Sequence, residues 1–189
     1  GKGQQMIFGL VCSNSSAITI ATTVNNARCT FVWAENNPMW PGMLAAQMAA
    51  LEHCRPGATL PEIHDVSVRK LVEGLLALGL LKGDAAELIA REAYRAYYMH
   101  STSHWLGLDV HDVGSYRVDG EPRRLEPGQV FTVEPGLYVS KDDENADPRF
   151  RGIGIRIEDD VVITEGGHEN LTAAIPKATD VLEALVAER

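Results

Sequence analysis

No aspartate precedes Asp65 and no histidine precedes His53 in this 189-residue chain. Ahead of residue 41 the charged residues are Lys2, Arg28 and Glu35 alone, so this stretch offers no carboxylate–imidazole cluster. Basic residues are also short, with 17 Lys and Arg against 26 Asp and Glu and a formal net charge of -9. That balance argues against a nucleic-acid partner, which a basic patch would have to attract. Cysteine is sparse. Cys12, Cys29 and Cys54 are widely spaced, odd in number and form no C-x-x-C pair. They argue against a disulfide framework and fit a reducing compartment. No apolar run approaches the roughly 20 residues that span a bilayer. The short stretch from Met6 to Cys12 has no convincing cleavage pattern after it, so the expectation is a cytoplasmic protein without a membrane partner.

What is present divides near residue 41. Before that point, runs such as MIFGLVCS, AITIATTV and ARCTFVWAE are apolar or Thr/Val-rich and suit short strands, and NNPMWPG reads as a turn. From Met43, MLAAQMAALEHC is a strong helix former, stopped by Arg55-Pro56-Gly57. Thr59 with Glu62 predicts a capping box on a second helix, whose apolar residues recur at Val66, Val68, Leu71, Leu75, Leu76, Leu78 and Leu80. A third helix is expected from Gly83-Asp84 through Tyr98, so that residues 44–97 hold three helices. After His100 the period shifts toward two, and WLGLDVHDVG, GQVFTVEPGLYV and RGIGIRIEDDVVIT read as strands of one curved sheet. A short helix closes the chain from Ala178. Helices followed by strands predict an α+β fold, in two parts at 1–42 and 43–189.

Three segments concentrate chemistry. Half of the six histidines, His100, His104 and His111, fall in one stretch with Asp109 and Asp112 nearby. His100 and His104 have the spacing of H-E-x-x-H, but Ser101 stands where the glutamate would be, so that motif fails. In VFTVEPG, alternation puts Thr132 and Glu134 on one face, and Pro135 ends the strand. In GIGIRIEDD, Ile153, Ile155 and Ile157 form one face and Gly154, Arg156 and Glu158 the other. An arginine beside a carboxylate keeps it ionised. Each segment has a plain alternative: a structural histidine, an edge-strand glutamate in water, a surface ion pair. Together they propose a His/Glu/Glu set for manganese, zinc, cobalt or iron.

The stretches HSTSHWLGLDVHDVG, LEPGQVFTVEPGLYV and FRGIGIRIEDDVVIT closely resemble aminopeptidase P, the Xaa-Pro aminopeptidases among the pita-bread metallopeptidases. The resemblance runs from about Met43 to the C-terminus. It implies a pita-bread (creatinase/aminopeptidase-like) fold, incomplete at its N-terminal side. The implied activity is a hydrolase's: removal of the residue that precedes proline from peptides with proline at the second position. The implied cofactor is a divalent metal, Mn2+ foremost, with two ions per site in the family. By the same resemblance His104, Glu134 and Glu158 are metal ligands, with Glu158 bridging. His100 and His111 bind substrate and stabilise the tetrahedral intermediate, Arg156 lies beside the metals, and Glu134 also accepts the proton of the attacking water.

Residues 1–42 do not share the resemblance. The family draws two aspartate ligands from an earlier strand pair, and no aspartate stands there. The expectation is therefore one metal ion or none in this chain and little or no turnover. The alternative function is a non-catalytic pita-bread relative that binds peptides or a protein partner. An incomplete sheet also predicts an exposed apolar edge, and with it a homo-oligomer.

Overall fold

A computed structural model describes residues 7–13, 17–24, 27–34 and 38–187. Strands β1 (Ile7–Ser13), β2 (Ala17–Val24) and β3 (Ala27–Ala34) form an antiparallel meander in the order β1-β2-β3. They coincide with the three runs expected to be strands; Met6 and Glu35, at the ends of those runs, lie outside the described residues.

Helix α1 (Trp40–Glu52) starts inside the segment expected to be a turn, because Pro41 is well placed in a first helical turn. Helix α2 (Leu60–Ala77) carries the expected capping box: Thr59 accepts from the Glu62 amide, and the Glu62 carboxylate accepts from the Thr59 amide at 2.8 Å. Its buried stripe is Leu60, Ile63, Ser67, Val68, Leu71, Val72 and Leu75, while Val66 is only half-buried. The two helices pack closely where glycine meets glycine. A Cβ on Gly42 would stand 3.4 Å from Gly74 Cα.

The third helix is shorter than expected. Helix α3 (Ala85–Ala90) stops, Glu92 adopts a left-handed φ of 53°, and a 3-10 turn follows at Ala93–Ala96. Nothing in the local sequence breaks a helix there. The gain lies in packing: Tyr94, Tyr97 and Tyr98 are all buried against α2 and the strands beyond. Their burial outweighs the roughly 1–3 kcal/mol of strain at one left-handed non-glycine residue.

The remaining strands are β4 (Arg117–Val118), β5 (Glu121–Pro122), β6 (Val130–Val133), β7 (Gly136–Tyr138), β8 (Gly154–Arg156), β9 (Asp159–Thr164) and β10 (Gly167–Asn170). Antiparallel pairing gives a sheet in the order β10-β9-β6, a β7-β8 pair and a β4-β5 hairpin. The hairpin turns on Asp119-Gly120, both at positive φ. Helix α4 (Thr179–Ala187) closes the described chain.

The single curved sheet is therefore corrected. β6 and β7 are interrupted at Glu134-Pro135, and β8 and β9 at Ile157-Glu158, so both glutamates sit in breaks between small sheets. The stretch WLGLDVHDVG is not a strand either. Its first residue, Trp105, makes an isolated bridge to Phe131, and the rest is irregular. Residues 102–106 nevertheless run beside β6: the Thr132 amide donates to the His104 carbonyl, Glu134 to Thr102, and Leu106 to Val130. One core cluster joins α1, α2, the tyrosines and the β7-β8 pair. A second joins the α1–α2 turn to Trp105, Phe131, Val133, Val161 and Ile163.

Candidate functional site

The proline after Glu134 ends β6 and leaves the carboxylate where the sheets part. Alternation puts Thr132 on the same face, and its hydroxyl donates to Glu134 Oε1 at 3.0 Å. On the same oxygen stands His104 Nε2, 2.9 Å away. The other oxygen, Oε2, faces Arg156 Nη1 at 3.1 Å. Glu134 is 7% exposed, so this carboxylate is buried between the His104 imidazole and the Arg156 guanidinium.

The electrostatics follow. Burial alone would raise the Glu134 carboxyl, but the hydrogen bond from His104 and the charge of Arg156 outweigh it and hold it below the usual carboxylate range. Burial alone would lower His104. Its hydrogen bonds to Glu134 and to the Trp105 carbonyl, with the charges of Glu134 and Glu158, raise it above the ordinary histidine range instead. A carbonyl only accepts, so His104 Nδ1–H donates to Trp105 O at 3.0 Å, and Nε2 is the nitrogen turned to the site.

A cavity of about 490 Å³ opens here, lined by His100, Ser101, Ser103, His104, His111, Tyr116, Glu134 and Arg156. His111 arrives on the irregular loop after Trp105, its ring edge-on to that of His104 with centroids 4.5 Å apart. Two glycines let that loop fold tightly. A side chain on Gly107 would collide with the Asp112 carboxylate, and a Cβ on Gly114 would stand 2.8 Å from the Trp105 ring. His100 donates through Nδ1 to the Ser101 carbonyl at 2.8 Å, which leaves Nε2 to accept from the Tyr138 hydroxyl at 3.0 Å.

The structure thus brings His100, His104, His111, Glu134 and Arg156 to one cavity. Glu158 is half-buried in the break after β8. It is not among the residues lining the cavity, although its charge acts on His104. Sequence reasoning missed Tyr138. The signal was available, because Glu134, Gly136 and Tyr138 share one face at a period of two. A side chain on Gly136 would collide with the Tyr138 ring, so the glycine leaves the space that ring occupies.

Behind the site, the buried side chain of Gln47 on α1 ties both breaks together. Its Nε2 donates to the Val133 carbonyl at 3.0 Å and to Asp159 Oδ2 at 2.7 Å. Asp159, fully buried, also accepts from Asn170, Thr172 and Lys177.

The donor chemistry suits a divalent cation. A histidine whose Nδ1–H is fixed on a carbonyl presents Nε2, as metal-binding histidines do, with a carboxylate oxygen beside it. The number of donors does not suit a complete centre. Among the described residues, no group of three or more His, Cys, Asp or Glu side chains is placed to hold a metal ion. His104 and Glu134 therefore fit one side of an imidazole–carboxylate site.

The model of metallopeptidase family M24 matches residues 15–165, so the match begins ahead of Met43, where the resemblance was expected to start. The chain is 54% identical over 144 residues to the Xaa-Pro aminopeptidase of Escherichia coli K12, covering 76% of this chain and 32% of that protein. It is 35% identical over 187 residues to Xaa-Pro aminopeptidase 3 of Mus musculus, covering 97% of this chain and 35% of that one. The structure of Pseudomonas aeruginosa aminopeptidase PepP superposes with a TM-score of 0.82 at 45% identity, over 91% of this chain and 41% of that chain. The α+β fold is the pita-bread fold, here in part. The chain spans about a third of the length of these two curated relatives.

Proposed function

Because the chain belongs to metallopeptidase family M24, we propose that it carries one face of the active site of a metal-dependent aminopeptidase that releases the residue preceding proline. The observation that carries this reading is the Glu134 carboxylate, held between His104 Nε2 and Arg156 at the wall of the cavity. In this reading His104, Glu134 and Glu158 are the metal ligands of this chain, and manganese is the metal. A divalent ion, when bound, supplies Lewis acidity and makes water a nucleophile at neutral pH. The protein's part is electrostatic and steric. Arg156 keeps Glu134 ionised and aimed, so that Glu134 can take the water's proton. His111, facing the same cavity, donates to the substrate carbonyl as negative charge develops on its oxygen, while His100, with both ring nitrogens engaged at Ser101 and Tyr138, walls the space where the substrate binds. Tyr138 holds the His100 ring.

The described residues supply only part of what two cations need. His104 and two carboxylates neutralise too little charge for a second ion, so the proposal includes at most one weakly held metal and little turnover by these residues alone. The absence of a three-ligand group among the described residues supports a second reading, in which the cavity binds peptides without hydrolysing them. No described helix is long and apolar enough to cross a membrane. A cytoplasmic location and self-association through the sheet edge complete the proposal.

The test is metal analysis after dialysis, paired with hydrolysis of a Xaa-Pro peptide in added manganese. The account predicts substoichiometric metal and negligible turnover, with saturable peptide binding that Glu134→Ala weakens. Robust turnover abolished by Glu158→Ala, with two tightly held ions, would show a complete centre and overturn the partial one. No metal and no peptide binding would overturn both readings.

A further inference from the structure

Thr102 is fully buried between two polar groups that the peptidase reading leaves unused, the buried Tyr98 and the half-buried His64. Its hydroxyl lies 2.6 Å from the Tyr98 hydroxyl and 2.9 Å from His64 Nδ1. Its carbonyl accepts the amide of Glu134 at 2.7 Å. Thr102 also stands two residues from His104 and two from His100, and the Tyr98 ring meets the His100 ring edge-on at 4.9 Å. One hydroxyl, fixed from both sides, therefore anchors the backbone that carries three of the cavity's side chains.

We propose that His64, Thr102 and Tyr98 form a positioning relay for Glu134, with neutral His64 as its terminal acceptor. The inference rests on reading Glu134 as the working carboxylate. The direction of the relay follows from counting hydrogens. Tyr98 and Thr102 each bring one O–H to a place with no solvent exposure. If His64 carries its proton on Nε2, Tyr98 donates to Thr102, Thr102 donates to Nδ1, and every buried hydrogen has an acceptor. If Nδ1 carries a proton, it must donate to Thr102. One of the two hydroxyl hydrogens is then left with no acceptor among the described residues, and a buried donor without a partner is costly. The surroundings agree with a neutral ring. Burial is the largest influence on His64 and lowers its pKa below the ordinary histidine value, with Arg95 and His100 acting in the same sense and Asp65 and Glu92 against it. The rings of Tyr94 and Tyr98 pack against it.

His64, Thr102 and Tyr98 are positioning residues: none lines the cavity. What they fix is where the Glu134 amide, and with it the carboxylate between His104 and Arg156, is held. The same clamp explains why the irregular histidine-bearing stretch keeps its place beside β6 although its ladder is short.

The experiment needs neither metal nor substrate, so it can fail independently of the peptidase reading. Long-range proton–nitrogen spectra of the histidine rings in the unmodified protein at neutral pH report the His64 tautomer directly. The expected result is an unprotonated, hydrogen-bonded Nδ1 with the proton on Nε2; a protonated Nδ1 overturns the proposal. Hydrogen exchange at the Glu134 amide then tests the positioning. Thr102→Val and His64→Leu are expected to speed it about tenfold, the scale of one hydrogen bond's net contribution, relative to amides in α1. His64→Asn places a carbonyl oxygen near the Nδ1 position and is expected to restore slow exchange. Unchanged exchange in Thr102→Val, or equal acceleration in His64→Asn and His64→Leu, overturns the relay.

Discussion

Glu134 Oε1 and His104 Nε2 stand 2.9 Å apart in a site where the carboxylate is 7% exposed. The pair carries a pH signature. His104 is raised, so its contribution is full below the ordinary histidine value and fades as pH climbs through the raised one. Glu134 is lowered, so its contribution is full above the ordinary carboxylate value and fades as pH falls through the depressed one. Both are present together only between those limits, in mildly acidic solution. Glu134→Gln is expected to cost roughly 3 kcal/mol there, the low end for breaking a buried pair. Above the His104 transition the difference shrinks to the Arg156 share. Thermal melts of both proteins, run from below the depressed Glu134 transition to above the raised His104 one, check this. A difference independent of pH would contradict it.

Gly114 packs directly against the Trp105 ring in the loop that brings His111 over His104. Its Cβ would press on a buried indole ring that has little room to move, at 2.8 Å. Gly114→Ala is expected to destabilise the protein by about 1–3 kcal/mol, as overpacking does. It should also separate the His104 and His111 rings. Ring-current shifts of the two histidines, measured beside a denaturant melt, report both effects.

Some of this was open to sequence reasoning because the signal was local. The capping box at Thr59 and Glu62 is a four-residue pattern, and the shared face of Thr132 and Glu134 needs only strand alternation. The buried isoleucines at 155 and 157, opposite Arg156, follow from the same period. WLGLDVHDVG misled because its apolar residues alternate like a strand's. The Asp112 amide instead donates back to the Trp105 carbonyl and folds the stretch into a loop. The early end of α3 depends on tyrosines packing against distant strands, and no window of neighbouring residues contains that information. The same holds for Gln47, a polar residue in a helix that reads as apolar, whose partners at Val133 and Asp159 lie far along the chain.

Lys177 reaches the fully buried Asp159, next in sequence to Glu158, at 2.8 Å. Removing the cation leaves a buried carboxylate with only neutral donors. Lys177→Met is expected to cost about 3–5 kcal/mol, and adding Asp159→Asn should return part of it, since the charge is then gone. A double-mutant cycle by urea unfolding measures the coupling. Strictly additive losses would mean that the pair does not act as a unit.

The central claim is that His104 and Glu134 are metal-facing residues of an incomplete site. Titration of the purified chain with Mn2+, followed by the paramagnetic signal of the free ion, tests it most directly. The account predicts no more than one ion per chain, bound no tighter than the micromolar range of about -8 kcal/mol. It also predicts that His104→Ala abolishes this binding. Two tightly held ions, or one ion whose affinity His104→Ala leaves untouched, would contradict it.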